Sequence, residues 1–423
     1  MRSFILMAVL FSGSFLQAQN NPSVSEAEVR RIEKTLSADD MQGRKVFTPG
    51  LEKAASFIAN EFREAGLKPI PGAENFFQTF SIADRISTNI SGDMDGTPLH
   101  NGNVVALTAD SVITITQEDH YEKVFLKKQD DFLGVVTKYL DGNQHVLIFV
   151  DKDLQARFSW LASMHLPQFE GSGNRIFILT GKEPEKYKIE IRQKIKPQHL
   201  KNIVGMIPGK SRPDEYVIFG AHYDHLGVGK ADGTGDSVYN GANDNASGTT
   251  AMISLAKYFS LLHDNERTLV FVAFTAEEIG EFGSAYFSKV MNSEKVVAMF
   301  NIEMIGTESK WGKNSAFITG YDKSDMGAIL QKNLKNSPFK FYPDPYPELM
   351  LFLRSDNASL AKRGVPAHTI STSKMDSEKF YHKRGDEIET LDLANMTEII
   401  RAIGLSAGSI ISGKDTPRRV KPE

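Results

Sequence analysis

The stretch EYVIFGAHYDHLG (residues 215–227) sets an apolar run, Tyr216 to Phe219, directly against two histidines and an aspartate. A strand with one solvated face alternates apolar and polar residues. A run without alternation is buried on both faces, as in parallel sheets covered by helices on either side. The same pattern recurs in NIVGMIPG, TLVFVAFTAEE, VVAMFNIEMIG, AFITG and VPAHTIS. A helical stretch, GTTAMISLAKYFSLL, falls between two of these runs, and LANMTEIIRAIGLSAGSII closes the series. The pattern predicts an α/β chain with a mainly parallel, mixed sheet and helices on both faces. Ligands of such sheets bind beyond the carboxyl ends of the strands. His222 follows one strand there, Glu277 and Glu278 a second, and Glu303 a third.

Upstream, SEAEVRRIEKTLSADDM and TPGLEKAASFIANEFREAGL space their apolar residues at three and four. They predict two amphipathic helices, with Ser25 and Thr48 as caps and the second ending at Gly66. Residues 85–196 differ, with short β-rich runs (SVITITQ, HVLIFVD, RIFILTG, KYKIEIRQ) between Gly, Asn and Asp turns. They read as a smaller β-rich unit inserted between residues 20–84 and 197–415. The first residues combine a basic Arg2, an apolar stretch from Phe4 to Phe15 and small or polar residues near Ala18 and Gln19. This is the pattern of a cleaved export signal over residues 1–19, and the apolar stretch is shorter than the about 20 residues of a spanning helix. The expectation is an exported protein with no stable membrane span after cleavage.

Composition narrows the chemistry. Lys plus Arg number 49 against 53 Asp plus Glu, a net charge of -4, which gives no electrostatic case for nucleic acid or an anionic membrane surface. The chain has no cysteine, so any metal must be held by His, Asp and Glu. No Gly-x-Ser-x-Gly elbow or P-loop is present, and GVGKAD lacks the last glycine of a dinucleotide fingerprint. DGTGDSVYNG lacks the terminal glutamate of a calcium loop and reads as a loop at the site entrance.

Taken singly, each polar residue has an ordinary explanation: a loop histidine, a helix cap in GANDNASG, a solvated helix start at Glu277-Glu278. Their order is more informative: His-x-Asp, an aspartate in a Gly-rich turn, Glu-Glu after a strand, an acid in NIEMIG, then YHKRGD. This set resembles the zinc metallopeptidase family that includes bacterial leucyl aminopeptidases, glutamate carboxypeptidase and glutaminyl cyclase. The likeness runs from NIVGMIPG through the closing helix, with weaker support from MQGR and the first helices.

The resemblance implies two zinc ions, one held by His222, Glu278 and a bridging Asp244, the other by Asp244, Glu303 and His382. It implies Glu277 as general base, Asp224 as acceptor of the second imidazole N–H of His222, and Tyr381 as donor to the developing oxyanion. Arg354 matches an arginine that organises the substrate end of the pocket in some aminopeptidases. His225 matches no ligand position and reads as a loop or pocket-wall residue. Two positions depart from the family: Glu303 stands where many relatives have aspartate, and Asn357 where they often carry an aromatic residue or histidine. Relatives also often carry a protease-associated domain at the point of the insert. The expected partner is a peptide and the expected activity that of an aminopeptidase. A carboxypeptidase, a glutaminyl cyclase and a binding protein without catalysis are the alternatives.

Overall fold

The computed structural model describes residues 22–140, 142–233 and 235–421. The expected export signal lies outside them. Four strands form a parallel centre, in the order Arg267–Phe274, Arg212–His222, Val296–Ile302 and Ala367–Ser371. Antiparallel strands flank it: Tyr187–Ile207 and then Phe77–Met94 on one side, Ser315–Ile318 on the other. The fold is thus the mixed α/β sheet that the apolar runs predict.

Both faces of the central strands are buried, and successive residues serve different cores. Phe219 packs with the helices Glu26–Leu36, Pro49–Glu64, Ser247–Leu262 and Leu393–Ser406, whereas Ile218 faces Phe287 and Leu360 on the opposite side. Phe219 pairs in register with Phe271 and Phe300 and stacks on both rings, at 5.5 and 4.8 Å. With three large rings on one line, a slip of one residue would turn each to the wrong face. The register therefore brings the ends of three strands, and with them His222, Glu277 and Glu303, to one edge.

The two amino-terminal helices form as the spacing predicts, but without the expected side-chain caps. Ser25 and Thr48 occupy the N-cap positions without capping, and the Thr48 hydroxyl instead donates to the Lys45 carbonyl. Gly66, at φ 75°, ends the turn after Pro49–Glu64.

Residues 85–196 stand on a ribbon made by the long strands Phe77–Met94 and Tyr187–Ile207, whose register shifts between Arg85 and Ser87. One face of a separate four-stranded sheet packs its Leu147, Phe149, Ile176 and Ile178 against Ile90, Ile189 and Ile191 of the ribbon. The other face is covered by the helices Phe132–Leu140 and Gln155–Ser163. The β-rich reading of this unit missed both. Gln155–Ser163 buries only Phe158 and Leu161, too few apolar residues to show a helical period.

Candidate metal centre

The site lies beyond the carboxyl ends of the parallel strands. His222 is the last residue of Arg212–His222, Glu277 and Glu278 follow Arg267–Phe274, Glu303 follows Val296–Ile302, and His382 stands on the loop after Ala367–Ser371. Asp244 precedes the helix Ser247–Leu262. That helix sits close to the sheet because Gly248 has no side chain: a Cβ there would lie 2.2 Å from the Ile302 carbonyl oxygen.

The donor atoms converge in two sets joined by Asp244. His222 Nε2 lies 3.1 Å from Glu303 Oε1 and 3.3 Å from Asp244 Oδ1. His382 Nε2 lies 3.3 Å from Asp244 Oδ2 and 3.2 Å from Glu278 Oε2. Two ligands each about 2.0–2.1 Å from a tetrahedral zinc are roughly 3.3–3.4 Å apart, so these separations and the nitrogen and oxygen chemistry fit zinc. The partition differs from the one the resemblance implies. His222 groups with Glu303, and His382 with Glu278, because Glu303 emerges from the strand beside the one ending at His222 while the His382 loop reaches over Glu278.

Charge points the same way. Four carboxylates, of Asp244, Glu277, Glu278 and Glu303, crowd around imidazoles, and among the described residues Arg354 is the one permanently cationic side chain lining the pocket. Burial pushes the Glu277 carboxyl well up. Hydrogen bonds to Asp244 and Glu278 raise His382 to about 10. Burial works against protonation of His222, yet the facing carboxylates of Glu303 and Glu277 raise it well above the usual histidine value. A site that draws protons this strongly suits divalent cations, which would replace those protons as counter-charge.

The supporting residues are largely ones the sequence did not single out. Arg44 of MQGR is fully buried and donates to the carbonyls of Tyr223, Asn240 and Gly241, bracing the loops that carry His222 and Asp244. Asp386, the last residue of YHKRGD, accepts the main-chain N–H groups of Asn243 and Asp244 at 2.7 and 2.9 Å. The Asn245 amide bonds the Ile302 carbonyl and the Met304 N–H, tying the bridging loop to the Glu303 segment. Ser355 donates to Glu303 Oε2 at 2.8 Å, so the longer side chain reaches both a histidine and a fixed hydroxyl.

Three expectations change. Asp224 Oδ1 is 3.9 Å from His222 Nδ1, and it is the Asp224 main-chain carbonyl, at 3.1 Å, that meets the ring. The Asp224 carboxylate instead accepts the N–H groups of Glu277 and Glu278, because the turn after Phe274 closes over it. His225 is not a bystander. It is 1% exposed, and its Nδ1 lies 2.7 Å from Glu278 Oε1, a hydrogen bond that leaves Oε2 facing His382. Asn357 lies away from the pocket, bonding the Phe352 and Ala367 carbonyls and the Thr369 hydroxyl.

Glu277 Oε2 is 3.9 Å from His222 Nε2, farther than the four histidine–carboxylate separations of the two sets. It lines a cavity of about 80 Å³ together with Met304, Phe317, Leu351, Arg354 and Met375. Tyr381, half-exposed, stacks on His382 at 4.0 Å and lines the same cavity.

The family model for peptidase family M28 matches residues 202–406. Aminopeptidase YwaD of Bacillus subtilis is 29% identical, over 99% of this chain and 95% of its own length. Aminopeptidase NAALADL1 of Rattus norvegicus is 28% identical over 33% of this chain, an alignment spanning 17% of that much longer protein. Among solved structures, an aminopeptidase from Aneurinibacillus sp. strain AM-1 superposes with a TM-score of 0.55 at 16% identity, covering 95% of this chain and 96% of its own. BSAP, a zinc aminopeptidase from Bacillus subtilis, gives 0.55 at 16% identity over 93% and 97%. At that identity the structures speak to the fold.

Proposed function

We propose that the chain, whose residues 202–406 match the model for peptidase family M28, is a two-zinc aminopeptidase of that family with Glu277 as its general base. The observation that carries this reading is the place of Glu277, beside two sets of donors with zinc-like spacing and a member of neither. His222, Glu303 and Asp244 would hold one ion, and His382, Glu278 and Asp244 the other. Zinc bound there polarises the scissile carbonyl and lowers the pKa of the attacking water.

The protein's own groups do the rest. Glu277, outside both donor sets, accepts the proton of the attacking water and returns it to the departing amine. Asp224 fixes the segment that presents Glu277, through the two N–H groups it accepts. Tyr381, stacked on His382, would donate its hydroxyl to the developing oxyanion. Carboxylates at Glu277 and Glu303 attract a free ammonium group. Arg354 lies on the same wall and organises that end of the pocket. Met304, Phe317, Leu351 and Met375 favour an apolar side chain at the cleaved residue.

Residues 85–196 are taken as an insert on the peptidase unit. The amino-terminal sequence supports export, and among the described residues no helix is long and apolar enough to cross a membrane. The test is product analysis on one peptide in three forms: unblocked, amino-acetylated and carboxy-amidated. Acetylation should abolish cleavage and amidation should not. The reverse pattern would assign the carboxypeptidase chemistry instead.

A further inference from the structure

Where residues 85–196 meet the helices Phe282–Val290 and Asn357–Ala361, the structure encloses a cavity of about 420 Å³, larger than the catalytic one. Leu166, Phe169 and Arg175 face Ile279, Phe282 and Arg363 across it. Arg175 is 2% exposed. Its Nη1 donates to the Gly142 carbonyl at 2.9 Å, and its Nη2 to the side chains of Gln168 and Ser172, all neutral acceptors. Its Nε is buried without a partner among the described residues.

Burial pulls the guanidinium pKa down, and among the described residues no carboxylate acts to hold it up. A buried guanidinium ordinarily sits against a counter-ion, because desolvating it uncompensated is costly. Further positive charge stands on the same walls: the Lys289 ammonium lies over the Phe169 ring at 3.9 Å, and Arg363 bonds the Ser288 hydroxyl. Part of the lining is apolar, with Leu166, Phe169, Ile279 and Phe282. The Nε N–H and the second Nη1 N–H have no acceptor among the described residues and suit a carboxylate, and the apolar part of the lining suits the body that carries it.

We propose that this cavity binds a small organic carboxylate with an apolar side chain, and that Arg175 is its counter-ion. The lining of the cavity includes none of the donor residues of the metal centre, although Ile279 directly follows Glu278 in the chain.

Calorimetric titration of the zinc-loaded protein with N-acetylleucine tests it, with leucine hydroxamate held at saturation so that the metals are unavailable to the carboxylate. One N-acetylleucine should bind per chain, and its neutral amide should not. Arg175→Met should weaken binding at least about tenfold, as expected for loss of a charge-assisted partner, while Arg354→Met should leave it unchanged. Because Arg175→Met removes a buried group, its fold is checked by circular dichroism. Ser172→Trp, which fills the cavity from its wall without removing the guanidinium, should weaken binding in the same way. Equal binding of acid and amide, no binding at all, tighter binding of inorganic phosphate, or unchanged affinity in Ser172→Trp would overturn the proposal.

Discussion

His222 and Glu303 leave the ends of adjacent strands, and the His222 side chain is 1% exposed; their counterpart His382 stands on a loop and is 39% exposed. Both halves of the centre share Asp244, yet one is built into the sheet and the other is closed from outside. A ligand fixed by strand register is prepaid in conformational entropy, whereas a loop ligand must be ordered when the metal arrives. The comparison therefore predicts unequal halves: dialysis against a chelator should remove the ion at His382 and Glu278 first, and the ion at His222 and Glu303 more slowly.

The largest effect should come from the group that belongs to neither half. Glu277→Gln should lower kcat by at least about a hundredfold while both metals remain, by elemental analysis. Loss of a metal from this variant would place Glu277 among the ligands and break the division.

His225→Ala should sharpen it. Without its hydrogen bond Glu278 is no longer oriented toward His382, and metal affinity in the exposed half should fall about 10- to 100-fold, the usual cost of losing such a partner. Competition with a chromogenic chelator measures this, and an equal loss from both halves would show that they are not independent.

In the buried half, Glu303→Asp should lower activity about tenfold, since the shorter carboxylate cannot meet both His222 and Ser355. Unchanged activity would show that the backbone accommodates either length.

The smallest effect concerns the scaffold behind Asp244. Glu33 is buried, accepts a hydrogen bond from Thr250 of the helix that follows Asp244, and burial pushes its carboxyl up to about 8. The folded protein keeps this proton to higher pH than the unfolded chain, so stability falls as pH rises from about 4.5 to about 8. Glu33→Gln has no proton to lose. Its melting temperature should match the parent's near pH 4.5 and exceed it increasingly toward pH 8, with little change in activity. A constant difference across that range would assign the effect to packing.

How much was legible in advance follows the length scale of each feature. The unalternating run before His222 and its recurrences carried the sheet, because burial on both faces is written in consecutive residues. The strand-end acids were visible for the same reason. The helix Gln155–Ser163 was not, since it buries only Phe158 and Leu161, whereas Phe132–Leu140 carries a helical spacing at Phe132, Val136 and Tyr139 that the β-rich reading passed over. His225 was misread although it lies three residues from His222, because its partner Glu278 is distant in the chain and nothing local marks the pair.

The sequence by itself determined which residue types could hold metal and that several of them follow the ends of apolar strands. Without cysteine, and with His, Asp and Glu placed after apolar runs, a nitrogen and oxygen centre at the carboxyl edge of a sheet was already specified. Only the tertiary structure decided which donor side chains lie side by side, that Asp224 holds backbone instead of imidazole, and that Arg44, Asp386 and Ser355 brace the site. These depend on the direction in which side chains leave neighbouring strands and on where a loop folds back, and both are set by contacts between residues far apart in the chain.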